Sequence, residues 1–460
     1  MTCAFLAAAF PLVAQQVTYS FDEAYDLMVS RSPSLKVADA EVQMARVGRG
    51  RANALWWPQL QANGMYVHMS EAIEVREPLS QFTDPAKEYI QRLVPGEELV
   101  TGLLDRVGEY VFTLPLIPQD VASVGLTAEW VAFSGGKRIF ADRVARQLVH
   151  VAEVGSERAL SAQRVQLVER YYGLVLARHA TEVCRGRYEG MCRHHADAVR
   201  LVQVGMADKA TRLLAQVAME EAESAWRHAE SVEQTRQMAL KQLLGMADEA
   251  LQVVPTSPLS TTPTEMPSEA LLVQSMLSDN YTLRTLSLEQ QIARDKLRVD
   301  LGDYLPTVAL FGTQTLYAHG LPSNLLPRTV VGVGLTWNLF DGLERERKVA
   351  QTRLAQQSLA WSRDAAEAEL TVLVSELYAT LQRTQADLRV LDSTISLGEE
   401  LLRVRRISFA EGLSTMAELV DAENALAASR LARLTAQYTL RVTMATLQAV
   451  CGEAWNFWNF

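Results

Sequence analysis

The sequence predicts a mainly α-helical protein with a small β part, built as a tandem repeat of long antiparallel coiled-coil hairpins. Three observations point there. Two segments offset by 207 residues match without gaps, two long spans with helical periodicity lack proline, and each is preceded by an alternating apolar stretch.

The repeat is read residue by residue. Leu126 to Gly135 falls on Val333 to Gly342, sharing Trp130/Trp337, Phe133/Phe340 and Gly135/Gly342. The same offset joins Tyr171 to Tyr378, Gly205 to Gly412 and Gly245 to Gly452. It also sets Ala215, Ala218, Ala222, Ala225 and Ala229 against Ala422, Ala425, Ser429, Ala432 and Ala436. Upstream the offset becomes 248, with Leu55 answering Asp303 and Trp57 to Leu60 answering Leu305 to Val308, so the first copy carries 41 extra residues between Pro58 and Trp130. The predicted organisation is a signal segment at 1–15, repeat one at 16–254, a Pro/Ser/Thr linker at 255–267, repeat two at 268–452 and a tail at 453–460.

No proline occurs between Pro118 and Pro255 or after Pro327. Ser134 and Asp341 are predicted to cap helices running to Gly205 and Gly412, each about 70 residues or roughly 100 Å long. A second helix of about 40 residues returns after each glycine. The alanine stripe of the returning helices steps by three and four, a heptad seam in which small residues allow close approach.

The β part is a strand pair in each copy. Val331, Val333, Leu335, Trp337 and Leu339 alternate with Gly332, Gly334, Thr336 and Asn338, and Val124, Leu126, Ala128, Trp130 and Ala132 repeat the pattern. Weaker strands precede them at Gln59 to Met69 and Thr307 to Tyr317. Apolar-out, small-or-polar-in alternation over about ten residues suits a membrane barrel. Four strands cannot close one, since about eight is the minimum. Three subunits sharing a barrel would supply about twelve strands, with the hairpins forming a common tunnel.

Composition limits the remaining classes. The 460 residues are 48% hydrophobic and 21% charged, too apolar for disorder. Lys+Arg 44 against Asp+Glu 54 gives a net charge of -10 without a basic stripe, which disfavours nucleic acid. No apolar run is long enough for a transmembrane helix. The opening residues Cys3 to Ala14 read as an apolar signal core without a positive n-region. Cys184 and Cys192, eight residues apart on one helix, are beyond disulfide reach and are read as free thiols. No phosphate loop, His-Glu-x-x-His or Gly-x-Ser-x-Gly motif is present, so no enzyme and no cofactor is predicted.

The chain resembles the TolC-like outer membrane efflux proteins over about residues 17 to 452. The resemblance is carried by Ser20-Phe-Asp-Glu-Ala-Tyr-Asp-Leu, the proline before each first strand and the Trp-x-x-Phe-[Ser/Asp]-Gly strand ends. Val204-Gly205-Met206, Glu411-Gly412-Leu413, Leu243-Leu244-Gly245 and Val450-Cys451-Gly452 complete it. It implies a homotrimer in the outer membrane lipid of a diderm bacterium, with a 12-stranded barrel and a periplasmic helical tunnel. It also implies a membrane-fusion adaptor and an inner-membrane transporter of RND, ABC or MFS type as partners. The implied role is a passive exit duct for efflux or type I secretion.

By the same resemblance, Glu418 and Asp421 mark a periplasmic gate contributed by repeat two alone, because Thr211 and Leu214 stand in repeat one. Their i, i+3 spacing shares a helix face, and a ring of carboxylates would favour cations. A solvated coiled-coil face is the plain alternative. Ser414 occupies the place where a basic latch residue is expected. Gly205, Met206, Gly412 and Leu413 would be adaptor-contact tips, although glycine also simply ends helices. Cys184, Cys192, His194 and His195 form the only metal-like cluster in the sequence and are read as helix surface, with no metal expected. The extra residues, within Tyr66 to Ser123, are expected to form an enlarged acidic extracellular loop. Two rival readings remain: a structural periplasmic coiled coil, and an adhesin-like surface protein without transport.

Overall fold

The computed structural model describes residues 15–93, 98–247, 251–259, 267–320 and 327–452. The signal segment except Gln15, residues 260–266 of the linker and the tail at 453–460 lie outside them. The elements are β1 (Gln15–Tyr19), α1 (Phe21–Arg31), α2 (Pro33–Ala54), β2 (Gln59–His68), β3 (Ile73–Pro78), α3 (Ser80–Leu93), α4 (Glu98–Gly108), β4 (Val111–Ile117), β5 (Asp120–Ser134), α5 (Lys137–Gln203), α6 (Lys209–Leu243), β6 (Leu251–Pro255), α7 (Glu269–Asp279), α8 (Tyr281–Leu301), a 3-10 turn at Gly302–Tyr304, β7 (Thr307–His319), β8 (Thr329–Thr336), α9 (Glu344–Ala410) and α10 (Met416–Val450). The two long helices have 67 residues each and the two returning helices 35 each, so the duplication is preserved to the residue. No described helix is long and apolar enough to cross a membrane.

The chain divides into two compact units. One comprises Met1–Val47, Arg146–Ala293 and Leu354–Phe460. Here β1 pairs in parallel with β6, and α1 begins at a capping box in which Ser20 and Glu23 satisfy each other's backbone donors. The adjoining core is aromatic: Phe21 meets Tyr171 edge-on at 5.6 Å and stacks on Tyr172 at 5.7 Å. The fully buried Tyr171 hydroxyl donates to Tyr19 O at 2.8 Å and accepts from Thr256 N at 3.1 Å and Ser257 N at 3.0 Å. One side chain of the long helix thus satisfies backbone groups on both sides of the β1/β6 pair. A second core joins Leu272, Met276, Val374, Leu381, Leu440 and Leu447, and a third lies toward the hairpin turns.

The other unit comprises Gly48–Ala145 and Arg294–Arg353. Its main sheet is antiparallel in the order β2-β5-β7-β8, so each copy contributes two adjacent strands and β5 joins β7 at the centre. Val331, Val333 and Leu335 stand 79%, 67% and 65% exposed, an uncovered apolar face. Gly332 is required beneath Phe311: a Cβ there would lie 2.6 Å from the ring.

The duplication is also written in matching contacts. Trp130 donates its indole N–H to Trp56 O at 3.0 Å, and Trp337 donates to Tyr304 O at 3.1 Å. Arg138 donates to Leu55 O and Ala132 O while lying 4.7 Å over the Trp56 ring. Arg345 donates to Asp303 O and Leu339 O while lying 5.0 Å over the Tyr304 ring. These pairs reproduce both sequence offsets. Each arginine ties the start of a long helix to the end of its strand and to the chain before the preceding strand.

Three local expectations are corrected. The strand read at Val331 to Phe340 ends at Thr336, because its partner β7 begins at Thr307 after Pro306 and offers nothing beyond. Ser134 and Asp341 do not cap the long helices: Ser134 closes β5, and Asp341 forms an ion pair with Arg345 at 2.7 Å. The helices begin after Gly135 and Gly136 in one copy and after Gly342 and Leu343 in the other, all four residues having positive φ. Finally, Ala215, Ala218 and Ala222 form a buried seam, but Ala425 and Ala432 are exposed, because Leu426 takes the inner position in α10.

Tyr171→Phe should leave the Ser257 amide without its partner and remove one hydrogen bond each from Tyr19 O and Thr256 N, which still bond one another at 3.1 Å. A loss of about 1–3 kcal/mol is expected, read as a lowered unfolding midpoint of the detergent-solubilised protein.

Candidate functional site at the hairpin turns

Both hairpins turn by the same backbone device. Gly205 and Gly412 take φ values of 78° and 75°, a left-handed conformation that suits glycine. Gly205 N donates to Val202 O at 3.1 Å and Met206 N to Leu201 O at 2.8 Å. Gly412 N donates to Phe409 O at 3.0 Å and Leu413 N to Ser408 O at 2.8 Å. This paired bonding closes the helix carbonyls and turns the following residue outward. Met206 and Leu413 are accordingly 67% and 78% exposed.

The returning helices start differently. In α6, Asp208 accepts from Thr211 N at 2.8 Å and from the Thr211 hydroxyl at 2.6 Å. In α10, Thr415 and Glu418 form a capping box, with Glu418 accepting from Thr415 N at 3.0 Å. The same Glu418 oxygen accepts from the Ser414 hydroxyl at 2.6 Å and faces the Arg405 guanidinium at 3.1 Å. Those interactions, the Ser414 hydrogen bond foremost, hold the Glu418 carboxyl below its ordinary value. Glu418 is therefore a charged helix cap at the turn. Asp421 is exposed one turn further along, without a hydrogen bond or ion pair among the described residues. Ser414 carries no charge, and the cation that faces Glu418 is Arg405.

A buried polar cluster escaped the sequence reading. Glu423 Oε2 lies 3.2 Å from His194 Nε2 and 2.8 Å from Arg406 Nη2. The Glu423 and His194 side chains are 10% and 6% exposed, and Gly190 makes the space, since a Cβ there would lie 3.0 Å from Glu423 Oε1. Burial pushes the Glu423 pKa up, but hydrogen bonds from His194 and Arg406 outweigh it and the net shift is downward. The signal was present: Met416, Leu419 and Leu426 make an apolar 3-4-3 stripe whose missing member is Glu423. His194 is thus buried against Glu423, whereas Cys184, Cys192 and His195 are only partly buried. No group of three or more His, Cys, Asp or Glu side chains converges as a metal site among the described residues.

Two long helical hairpins and a four-stranded, open-edged sheet make up a fold that solved outer-membrane channels share. Residues 272–453 match the outer membrane efflux protein family. The alkaline protease secretion protein AprF of Pseudomonas aeruginosa is 23% identical over 300 residues, covering 63% of this chain and 61% of AprF. The outer membrane protein VceC of Vibrio cholerae shares the fold at TM-score 0.72 and 15% identity, covering 94% of this chain and 96% of VceC. The CmeC outer membrane channel of Campylobacter jejuni does so at TM-score 0.73 and 13% identity, covering 94% and 85%. The family match thus falls on the second half of the chain, and the fold is shared with the solved channels over most of its length.

Glu423→Gln should destabilise the hairpin pair by on the order of 1–2 kcal/mol, limited by the partial exposure of Arg406. A folded-state pKa below the unfolded one gives stability that is complete above the ordinary carboxylate range and lost as pH falls through the depressed value. The gap in unfolding midpoint between wild type and Glu423→Gln should therefore close in acid.

Proposed function

We propose that this chain is one subunit of a homotrimeric exit duct that passively conducts small molecules or proteins from the periplasm to the exterior. The observation that carries it is the sheet: β2 and β8 are open edges and its face is an uncovered apolar surface. Open edges cannot stand in hydrocarbon, so copies must complete one another into a barrel. The similarity to AprF, an alkaline protease secretion protein, favours a secretion role. No catalytic step is assigned to the chain.

Within this reading, the exposed tips Gly205, Met206, Gly412 and Leu413 contact a periplasmic membrane-fusion adaptor, which couples the duct to an inner-membrane transporter. Glu418 and Asp421 supply the gate. Glu418, held ionised by its cap and Arg405, and Asp421, exposed without a partner, would together place carboxylates around a threefold axis. Such a ring attracts cations and resists narrowing.

Single-channel conductance in planar bilayers tests this, comparing wild type with Glu418→Gln, Asp421→Asn. Glutamine preserves the capping geometry while removing the charge. A small cation-selective wild-type conductance is expected, rising and losing selectivity in the variant. Wild-type selectivity should persist into acid below the ordinary carboxylate range, because the Glu418 pKa is lowered. A folded oligomer without conductance would favour the structural coiled-coil or adhesin-like readings.

A further inference from the structure

The extra residues of the first copy are a folded module. Ribbon β3/β4 pairs antiparallel from Ile73↔Ile117 to Pro78↔Val111, with one register shift between Ile73 and Glu74, and leads into helices α3 and α4. Leu79 N closes the neck on Tyr110 O at 3.0 Å. The helices touch closely: a Cβ on Gly108 would lie 2.6 Å from Thr83 Oγ1, and Lys87 pairs with Asp105 at 2.5 Å. With so little inside, large apolar side chains point out. Phe82 and Tyr89, seven residues apart on α3, are 73% and 67% exposed; Leu99 and Leu103, four apart on α4, are 83% and 63% exposed. Those spacings make one stripe per helix. Exposed apolar stripes of this kind mark an interaction surface.

We propose that the modules of three copies pack on one another through these stripes and cap the outer mouth of the duct. The proposal rests on the trimeric duct reading. Two observations select another copy as the occupant. First, β2 is an edge strand whose last residue, His68, leads within five residues into β3, so the module is continuous with the edge a neighbouring copy must complete. Second, helices that lie on lipid are rich in Lys and Arg on their polar faces, whereas residues 69–119 hold nine Asp and Glu against four Lys and Arg. The like charges oppose association, but tethering to a common barrel makes the encounter intramolecular, so a few large apolar side chains suffice.

The test uses full-length protein carrying Leu103→Cys, treated with a short bismaleimide while trimeric, with wild type as control for the native thiols. Covalent dimers and trimers specific to the variant are expected. In parallel, Leu99→Asp with Leu103→Asp should raise single-channel conductance several-fold without loss of the trimer. Intact trimers that neither cross-link nor change conductance would overturn the cap alone. Failure to form trimers would overturn the cap together with the duct reading. Protection of Leu103→Cys from a water-soluble thiol reagent only in lipid vesicles would assign the stripe to lipid and overturn the cap as well.

Discussion

Backbone N–H and C=O groups facing hydrocarbon must find partners within protein, because each one left unpaired costs several kcal/mol. In the proposed duct, the four-stranded sheet meets this requirement along β5 and β7 and leaves it unmet along β2 and β8. Its apolar face and its open edges are therefore two aspects of one constraint. Duplication supplies half of the answer, since it doubles the strand pair within a chain. Association of copies supplies the other half in the proposed assembly.

The two copies kept the contacts that serve this constraint and varied the rest. Arg138 and Arg345 make corresponding backbone bonds and ring contacts, and Trp130 and Trp337 anchor corresponding carbonyls. Elsewhere they diverge. Leu343 occupies the positive-φ site that Gly136 fills in the first copy, at a cost of about 1–2 kcal/mol by general stereochemistry. Asp208 caps α6 alone, whereas Thr415 and Glu418 share the task in α10. The acidic character of the second turn thus begins as helix capping. A carboxylate used this way stays ionised, which also suits it to a gate.

At the same end, Glu423 is held between His194 and Arg406 beneath Gly190. Such a cluster fixes the register of packed helices, because sliding by one turn would leave a buried charge without its partners. The surrounding seam of small and apolar residues would tolerate such a shift more readily.

The sequence by itself determined the tandem repeat, the long helices with glycine at their turns, the four strands and the apolar alternation of β8. These are local or periodic properties: proline exclusion, period-two patterning and positive-φ glycine are each legible within a few residues. It also supplied Glu418 and Asp421 as exposed carboxylates, through their motif. Only the tertiary structure decided that Glu418 caps its helix and pairs with Arg405, and that His194 belongs to Glu423 and not to a thiol cluster. It alone showed that the extra residues fold as a β-ribbon carrying two helices, and that Ala425 and Ala432 face outward. Each of these depends on which faces of separate elements meet, and a one-position difference in packing register reverses it. Helical period cannot specify that choice, because it fixes the face of one helix and not the neighbour that covers it.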